Sequence, residues 1–340
     1  MGPVVLLVPA ALLLGEPTVE FSTRPCLAFL HQPRSAGLPI ALSGLLRTWS
    51  SHHHCWQNTY SFRKACTKWK HYADADYYWG DMAMGLDGPA GPTRRRRCRW
   101  FTMWREPVER LISALRFCRA KADKAWVPHC GLNSNEGGFK LRPVNAKTAS
   151  ARDWAEHVGS YAFRQFLFAP DAFARVGATC APGGNASAPQ LPQVHRASGA
   201  ARGASFECRT VHSWTEQRDA LGACGDGISC DAGRRELREL VDAIANGTRF
   251  ATVGLLSRWD ESMRLFDRHV PLVPRAASRR ARSWRDALPP PRPRPEGERA
   301  AEAAEVEAAR RDPLVRARLA ADLELYAAAE RLFEGQMLEL

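Results

Sequence analysis

Three short apolar runs, each followed by a predicted helix, give the chain its hydrophobic pattern. The runs are residues 25–31, 99–104 and 250–255. Each is short, rich in apolar and aromatic residues and typical of a buried strand. The helices predicted after them cover residues 38–49, 107–119 and 257–269. Strands that alternate with helices predict an α/β fold, in which a parallel sheet is flanked by helices.

Further amphipathic stretches extend this pattern. They predict helices at residues 151–170, at residues 234–245 and from residue 300 onward. Residues 178–232 are rich in glycine, alanine, serine and proline and hold four of the 10 cysteines, and we interpret them as an irregular insertion tied by disulfides. The predicted organisation is an apolar signal or anchor segment (1–20), an α/β domain (21–273), an Arg/Pro-rich linker (274–299) and a C-terminal helix that packs on the domain (300–340).

The junction after the second strand is the clearest candidate site. Arg105-Glu106-Pro107 ends that strand, because the residue before a proline avoids the helical region and proline suits the first helical position. The N-terminus of the next helix then lies at the carboxyl end of the strand, where anions bind favourably. Arg105 stands at this junction, and Ser113 lies two turns further on, away from the apolar stripe.

The turn after the first strand has the composition of a phosphate cradle. Gln32-Pro33-Arg34-Ser35-Ala36-Gly37 joins a strand to a predicted helix with small residues and one cation. It is not a Walker A loop, because the chain contains no GxxxxGK[ST] motif. This absence argues against an ATP-dependent kinase, which would share the sheet and the cradle.

These segments resemble the Golgi carbohydrate sulfotransferases, which use 3′-phosphoadenosine 5′-phosphosulfate. The run RWFTMWREPVERLISALRFCR is similar to their 3′-phosphate segment, in which an Arg-Asp-Pro turn is followed by a serine eight positions after the arginine. FLHQPRSAGLP resembles their 5′-phosphosulfate loop, Phe-Leu-His-Ile-Pro-Lys-Thr-Gly-Gly-Thr. FATVGLLSRWDESMRLFDRHV resembles a third block, and Asp322, Leu325 and Tyr326 match a closing Asp-x-x-Leu-Tyr helix. Arg164 matches a fourth segment weakly.

The resemblance implies a P-loop-like sulfotransferase fold and a carbohydrate O-sulfotransferase activity. It assigns the 5′-phosphosulfate to Arg34, Ser35, Ala36 and Gly37, and the 3′-phosphate to Arg105 and Ser113. No metal is expected, because arginines and backbone amides can neutralise the transferred charge.

A histidine acts as general base in the heparan 2-O and 6-O branches of the family. We expect His71 to take this role, since Asp74 and Asp76 stand near it, and the cluster His52, His53 and His54 is the alternative.

Arg34 is the main departure from the family pattern, which has a lysine at this position. A planar guanidinium is not equivalent to the compact ammonium that assists the leaving phosphate. Arg34 is therefore a candidate catalytic residue of a slow enzyme. The alternative is a catalytically inactive protein that keeps the fold and binds a nucleotide or a polyanion.

Charge and cysteine content bear on partners and compartment. A formal net charge of +12, with four consecutive arginines at residues 94–97, favours an anionic glycan acceptor, and no nucleic-acid module is visible.

The 10 cysteines include no CxxC pair, so an oxidising compartment is a better interpretation than a metal site. The apolar residues 3–15 and the sequons at Asn185 and Asn246 agree with the Golgi lumen or secretory pathway, with a possible membrane anchor at the N-terminus.

Overall fold

The computed structural model describes the chain in separate ranges. They are residues 26–30, 32, 34–36, 40, 52–55, 77–80, 98–121, 146–167, 231–270, 283–288, 290 and 295–340. The predicted insertion (178–232) lies almost wholly outside these residues, as do the apolar N-terminal segment and the arginines at 94–97. No helix in the described ranges is long and apolar enough to span a membrane.

A parallel sheet of five strands forms the centre of the described part. The strands are β1 (Leu27–Leu30), β2 (His52–Cys55), β3 (Tyr77–Gly80), β4 (Arg99–Trp104) and β5 (Thr252–Leu255), arranged in the order β2-β3-β1-β4-β5. Every adjacent pair is parallel, and Leu27 is in register with both Tyr77 and Arg99. The predicted parallel sheet is therefore present. Strands β1, β4 and β5 lie where the apolar runs predicted them, whereas β2 and β3 were not predicted.

Both faces of the central strands are covered, as an all-parallel sheet requires. Alternation along β1 sends Leu27 and Phe29 to one face and Ala28 and Leu30 to the other. Strand β4 alternates in the same way, so each face has its own buried cluster. Thr102 in the middle of β4 is fully buried, and its hydroxyl donates to the carbonyl oxygen of Leu30 at 2.8 Å.

Helices surround this sheet. Those described are α1 (Pro107–Lys121), α2 (Ala151–Val158), α3 (Tyr161–Leu167), α4 (Asp231–Ala245), α5 (Trp259–His269), α6 (Trp284–Ala287), α7 (Glu296–Arg311), α8 (Pro313–Arg318) and α9 (Ala320–Met337). Buried residues of α3, α4 and α9 cover one face of the sheet, while α5 and α6 cover the other. A third cluster joins α1 to α2, α7 and α8.

Two predicted helices are divided in the structure. The helix predicted at residues 151–170 is α2 followed by α3, because Gly159 ends α2 with a positive φ of 57°. The helix predicted from residue 300 begins earlier, at Glu296, and is three helices. Asp312 ends α7, and Pro313 takes the first position of α8. The Asp312 side chain caps α8, because it accepts hydrogen bonds from the backbone N–H groups of Leu314 and Val315.

Part of the segment predicted as a linker belongs to the core. Trp284 in α6 is fully buried, with ring centroids 5.7 Å from Phe101 and 5.9 Å from Phe266. Its indole Nε1 donates to the carbonyl oxygen of Val270 at 2.9 Å. A large aromatic side chain with its polar atom paired outweighs the Arg- and Pro-rich composition around it.

A disulfide joins Cys26 to Cys98, immediately before β1 and β4, with the two Cα atoms 4.7 Å apart. The backbone N–H of Arg99 also donates to the carbonyl oxygen of Cys26 at 3.0 Å, so the two strands are aligned from their first residues. Cys118 in α1 is disulfide-bonded as well. No described cysteine side chain is a free thiol.

Candidate functional site

The order of the strands places a topological switch point between β1 and β4. From β1 the chain continues to β2 and β3 on one side, whereas from β4 it continues to β5 on the other side. Open α/β sheets bind ligands at such a switch point, outside the carboxyl ends of the strands. The turn after β1 (residues 32–36) and the junction after β4 (residues 105–107) lie at these carboxyl ends. Both segments predicted to bind phosphate groups therefore flank the switch point.

The turn after β1 has a strained backbone. The N–H of Ser35 donates to the carbonyl oxygen of Gln32 at 3.1 Å and closes the turn. Arg34 and Ala36 have φ angles of 70° and 55°, in the left-handed region that non-glycine residues seldom adopt. Each such residue costs on the order of 1–3 kcal/mol, and this strain concentrates at ligand-binding sites. Gly37 lies outside the described residues.

Arg34 brings the two predicted subsites into contact. Its Nε donates to the hydroxyl of Ser113 at 3.3 Å, although the two residues are 79 positions apart in sequence. Its guanidinium also lies 4.6 Å from the ring centroid of Phe117, one helical turn beyond Ser113. Ser113 is 1% exposed, so it faces the protein interior rather than the solvent. A residue predicted for the 5′-phosphosulfate thus contacts a residue predicted for the 3′-phosphate.

Two buried polar side chains of the same turn have no hydrogen-bond partner among the described residues. Gln32 and Ser35 are 1% and 0% exposed, and in the described structure neither the amide atoms of Gln32 nor the hydroxyl of Ser35 has a hydrogen-bond partner. Native structures leave few buried polar groups unpaired, because each such group costs about 1–3 kcal/mol. Hydrogen-bond donors left open beside a cationic arginine suit the oxygens of an anionic ligand.

Arg105 is held by carboxylates. Its Nη2 lies 3.0 Å from Oε1 of Glu302 in α7, and its Nε lies 3.5 Å from Oε2 of Glu109. The side chains of Arg105 and Glu302 are 15% and 12% exposed, so this ion pair is mostly shielded from solvent. In the described part of the chain, the Arg105 guanidinium pairs with carboxylates of α7 and α1.

The N-terminus of α1, which the sequence indicated as an anion site, already holds an anion of the protein. The carboxylate of Glu106 accepts hydrogen bonds from the backbone N–H groups of Val108, at 3.2 Å, and Glu109, at 2.8 Å. Glu106 therefore caps the N-terminus of α1. Arg310 of α7 donates to both Glu106 and Glu109 at 3.2 Å. A phosphate at this junction would depend on side chains rather than on these two amides.

Of the histidines predicted as general bases, only His52, His53 and His54 lie in the described part of the chain. His71 lies outside the described residues. His52, His53 and His54 form most of β2, which β3 separates from β1. That separation puts the β2 backbone roughly 10 Å from β1, at about 5 Å per strand. Arg164, the weakly matched arginine, belongs to α3.

Gln32 and Glu302 were not selected from the sequence as site residues. Gln32 had one available signal, because it is a polar residue where the resembling loop has isoleucine at the end of an apolar run. Glu302 had none, since it is one of several glutamates in an alanine-rich helix. Across the described residues, there is no group of three or more His, Cys, Asp or Glu side chains that could hold a metal ion.

Comparisons with known proteins add no relative. The chain matches no family model, no characterised protein and no solved structure. The observations that bear on function are therefore the short resembling segments and the arrangement of residues at the switch point.

Proposed function

We propose that the protein transfers a sulfuryl group from 3′-phosphoadenosine 5′-phosphosulfate to a carbohydrate hydroxyl. The observation that carries the proposal is the contact between Arg34 and Ser113 at the switch point. Two segments that resemble the donor-binding segments of one enzyme family, and that are far apart in sequence, meet where an α/β sheet binds its ligand.

The proposed roles follow from charge and position. Arg34, Ser35, Ala36 and Gly37 hold the 5′-phosphosulfate, and Ser113 with Arg105 binds the 3′-phosphate. The acceptor hydroxyl oxygen attacks the sulfur while the bond from sulfur to the bridging phosphate oxygen breaks. His71 accepts the hydroxyl proton, and 3′-phosphoadenosine 5′-phosphate leaves with the electron pair of the broken bond. The positive charge of Arg34 stabilises the leaving phosphate.

The acceptor and compartment are part of the same proposal. An anionic glycan is the acceptor class that suits the net charge of +12 and the arginines at residues 94–97. The Cys26–Cys98 disulfide is compatible with the Golgi lumen or another part of the secretory pathway.

Nucleotide binding provides the first test. Isothermal calorimetry should show that 3′-phosphoadenosine 5′-phosphate binds more tightly than adenosine 5′-phosphate or ATP. Replacing Arg34 by Ala should weaken that binding by about 2 kcal/mol, the scale of a lost charge-assisted hydrogen bond. Arg311→Ala, an exposed arginine of α7, is the matched control and should leave binding unchanged. Preference for ATP, or equal binding by wild type and Arg34→Ala, would contradict the proposal.

Turnover separates the enzyme from a second candidate, a non-catalytic nucleotide-binding protein. That candidate is favoured by the position of the Arg34 guanidinium, which lies against Ser113 and Phe117 of α1. A screen of labelled donor against a panel of glycans should detect transfer if the protein is an enzyme. Arg34→Lys should then raise the turnover number, because the lysine interaction is stronger in the transition state. His71→Ala should abolish transfer but retain the nucleotide. If neither wild type nor Arg34→Lys transfers sulfate, the second candidate is correct.

A further inference from the structure

We propose that Glu302 lowers the preference of this site for nucleotides that carry a 3′-phosphate, because its carboxylate competes with the 3′-phosphate of the donor for Arg105. This inference rests on the proposed function. It adds a residue of α7 that weakens binding of the 3′-phosphate and so reduces discrimination against nucleotides that lack this group.

The ion pair itself is the first observation. Arg105 and Glu302 are 197 positions apart in sequence, and Arg105 Nη2 donates to Glu302 Oε1 at 3.0 Å with both side chains mostly buried. A phosphate that binds Arg105 would bring its negative charge next to this carboxylate. Like charges that share a shielded site repel each other, so the phosphate must share Arg105 with Glu302 or displace it.

The described ion pairs around Arg105 contain more carboxylates than guanidinium groups. Two guanidinium groups, Arg105 and Arg310, contact the three carboxylates Glu106, Glu109 and Glu302 in the described part of the junction. Among these described contacts, three negative groups meet two positive ones before any ligand binds. Removing one of these carboxylates leaves two negative groups and two positive ones, which favours a phosphate relative to wild type.

Other contacts hold α7, and with it Glu302, against α1. Arg310 of α7 donates hydrogen bonds to Glu106 and Glu109. Glu305 of α7 pairs with two arginines of α1, Arg116 at 3.5 Å and Arg119 at 3.1 Å. Val306 and Ala309 are buried against α1 in the same cluster as Leu111 and Leu115. Substitution of Glu302 should therefore change the charge at Arg105 without detaching α7.

Calorimetry on Glu302→Gln with two nucleotides tests the inference. Glutamine keeps the size of glutamate and an oxygen acceptor for Arg105, but it removes the charge. We expect 3′-phosphoadenosine 5′-phosphate to bind about tenfold more tightly, which corresponds to about 1.4 kcal/mol. Adenosine 5′-phosphate, which lacks the 3′-phosphate, should bind as it does to wild type.

Glu305→Gln is the matched control. It removes the same charge from the same helix, but Glu305 pairs with Arg116 and Arg119 rather than Arg105. Neither nucleotide should bind differently to it. If Glu302→Gln does not fold, as judged by thermal denaturation, Glu302→Asp serves instead. Aspartate withdraws the carboxylate from Arg105 and should give a smaller gain of the same sign.

The outcomes separate this inference from the proposed function. If 3′-phosphoadenosine 5′-phosphate binds wild type but binds Glu302→Gln equally or more weakly, the role of Glu302 is wrong and the proposed function stands. An equal gain for both nucleotides, or a gain in Glu305→Gln, would also overturn it, because the effect would then be one of general charge. If wild type and Glu302→Gln bind neither nucleotide, the proposed function fails and the inference fails with it.

Discussion

The Nη2 atom of Arg110 lies 3.0 Å from Oδ2 of Asp322, and their side chains are 4% and 1% exposed. The same carboxylate accepts hydrogen bonds from the backbone N–H groups of Ala162, at 3.0 Å, and Phe163, at 2.8 Å. Asp322 of α9 therefore caps α3 and pairs with α1. Burial raises the pKa of Asp322, whereas Arg110 and the two backbone amides oppose that shift.

Asp322→Ala should lower the free energy of unfolding by about 3–5 kcal/mol, because it leaves Arg110 buried without a counter-ion and two amides without an acceptor. Arg110→Met should lower it by less. An aspartate can become neutral by binding a proton, and burial already favours that form, whereas an arginine stays charged. Urea denaturation at neutral pH measures both values.

Glu307→Gln is the control for this pair. It removes an exposed ion pair between Glu307 and Arg311 one turn apart in α7, which should change stability by at most about 0.5 kcal/mol. A larger loss for Arg110→Met than for Asp322→Ala would contradict the expected order.

Gln32 should affect stability and ligand binding in opposite directions. Methionine fits a similar volume and removes the amide, which has no hydrogen-bond partner among the described residues. Gln32→Met should therefore raise the free energy of unfolding of the ligand-free protein by about 1 kcal/mol or more. If the amide contacts the donor nucleotide, the same variant should bind 3′-phosphoadenosine 5′-phosphate more weakly. Urea denaturation and calorimetry provide the two measurements.

Gln336→Met is the matched control, because this glutamine is partnered. Its Oε1 accepts from the hydroxyl of Thr252 at 2.9 Å, and its Nε2 donates to the carbonyl oxygen of Ala251 at 2.7 Å. The control should destabilise the protein and leave nucleotide affinity unchanged. If Gln32→Met stabilises the protein without weakening nucleotide binding, then the buried amide of Gln32 only destabilises the core and does not contact the nucleotide.

Asp267 of α5 should make stability depend on pH. Burial raises the pKa of its carboxyl, the hydrogen bond from the backbone N–H of Trp284 opposes the shift, and Asp286 adds to it. The folded state therefore favours the protonated form. This contribution to stability is complete below the unfolded pKa of about 3.9 and is lost as pH rises through the higher folded pKa.

Asp267→Asn should remove this loss. Relative to wild type, its free energy of unfolding should increase from pH 4 upward and level off above the folded pKa of Asp267. Asp286→Asn should reduce the pH dependence without abolishing it, because it removes the like charge but leaves the burial. Unfolding curves of the three proteins measured across this pH range would show parallel profiles if Asp267 were not involved.

The Cys26–Cys98 disulfide should stabilise the fold and indicate the compartment. It closes a loop with a sequence separation of 72 residues, for which the chain-entropy model gives about 4 kcal/mol at 25 °C. The double variant Cys26→Ala/Cys98→Ala should therefore unfold at lower urea concentration than wild type.

Protein made in its native host and denatured without reductant should show few reactive thiols. Reaction of all 10 cysteines would contradict a secretory location.

Local pattern determined several elements to within a few residues. Strand β4 was predicted at residues 99–104 and α1 from Pro107, as the structure has them, because the apolar periodicity and the proline at the junction act over one or two turns. The parallel sheet followed from alternating strands and helices.

The tertiary structure decided which side chains meet. Arg34 reaches Ser113 because β1 lies beside β4, and β3 rather than β2 is the other neighbour of β1, an order that hydropathy does not encode. Glu302 reaches Arg105 because α7 packs on α1, although their sequences show only that each has charged residues. Periodicity records which face of an element is buried, whereas the partner of a charged side chain depends on how distant elements pack. The sequence therefore identifies the segments that form the site. Which charged side chains meet there is determined by the fold.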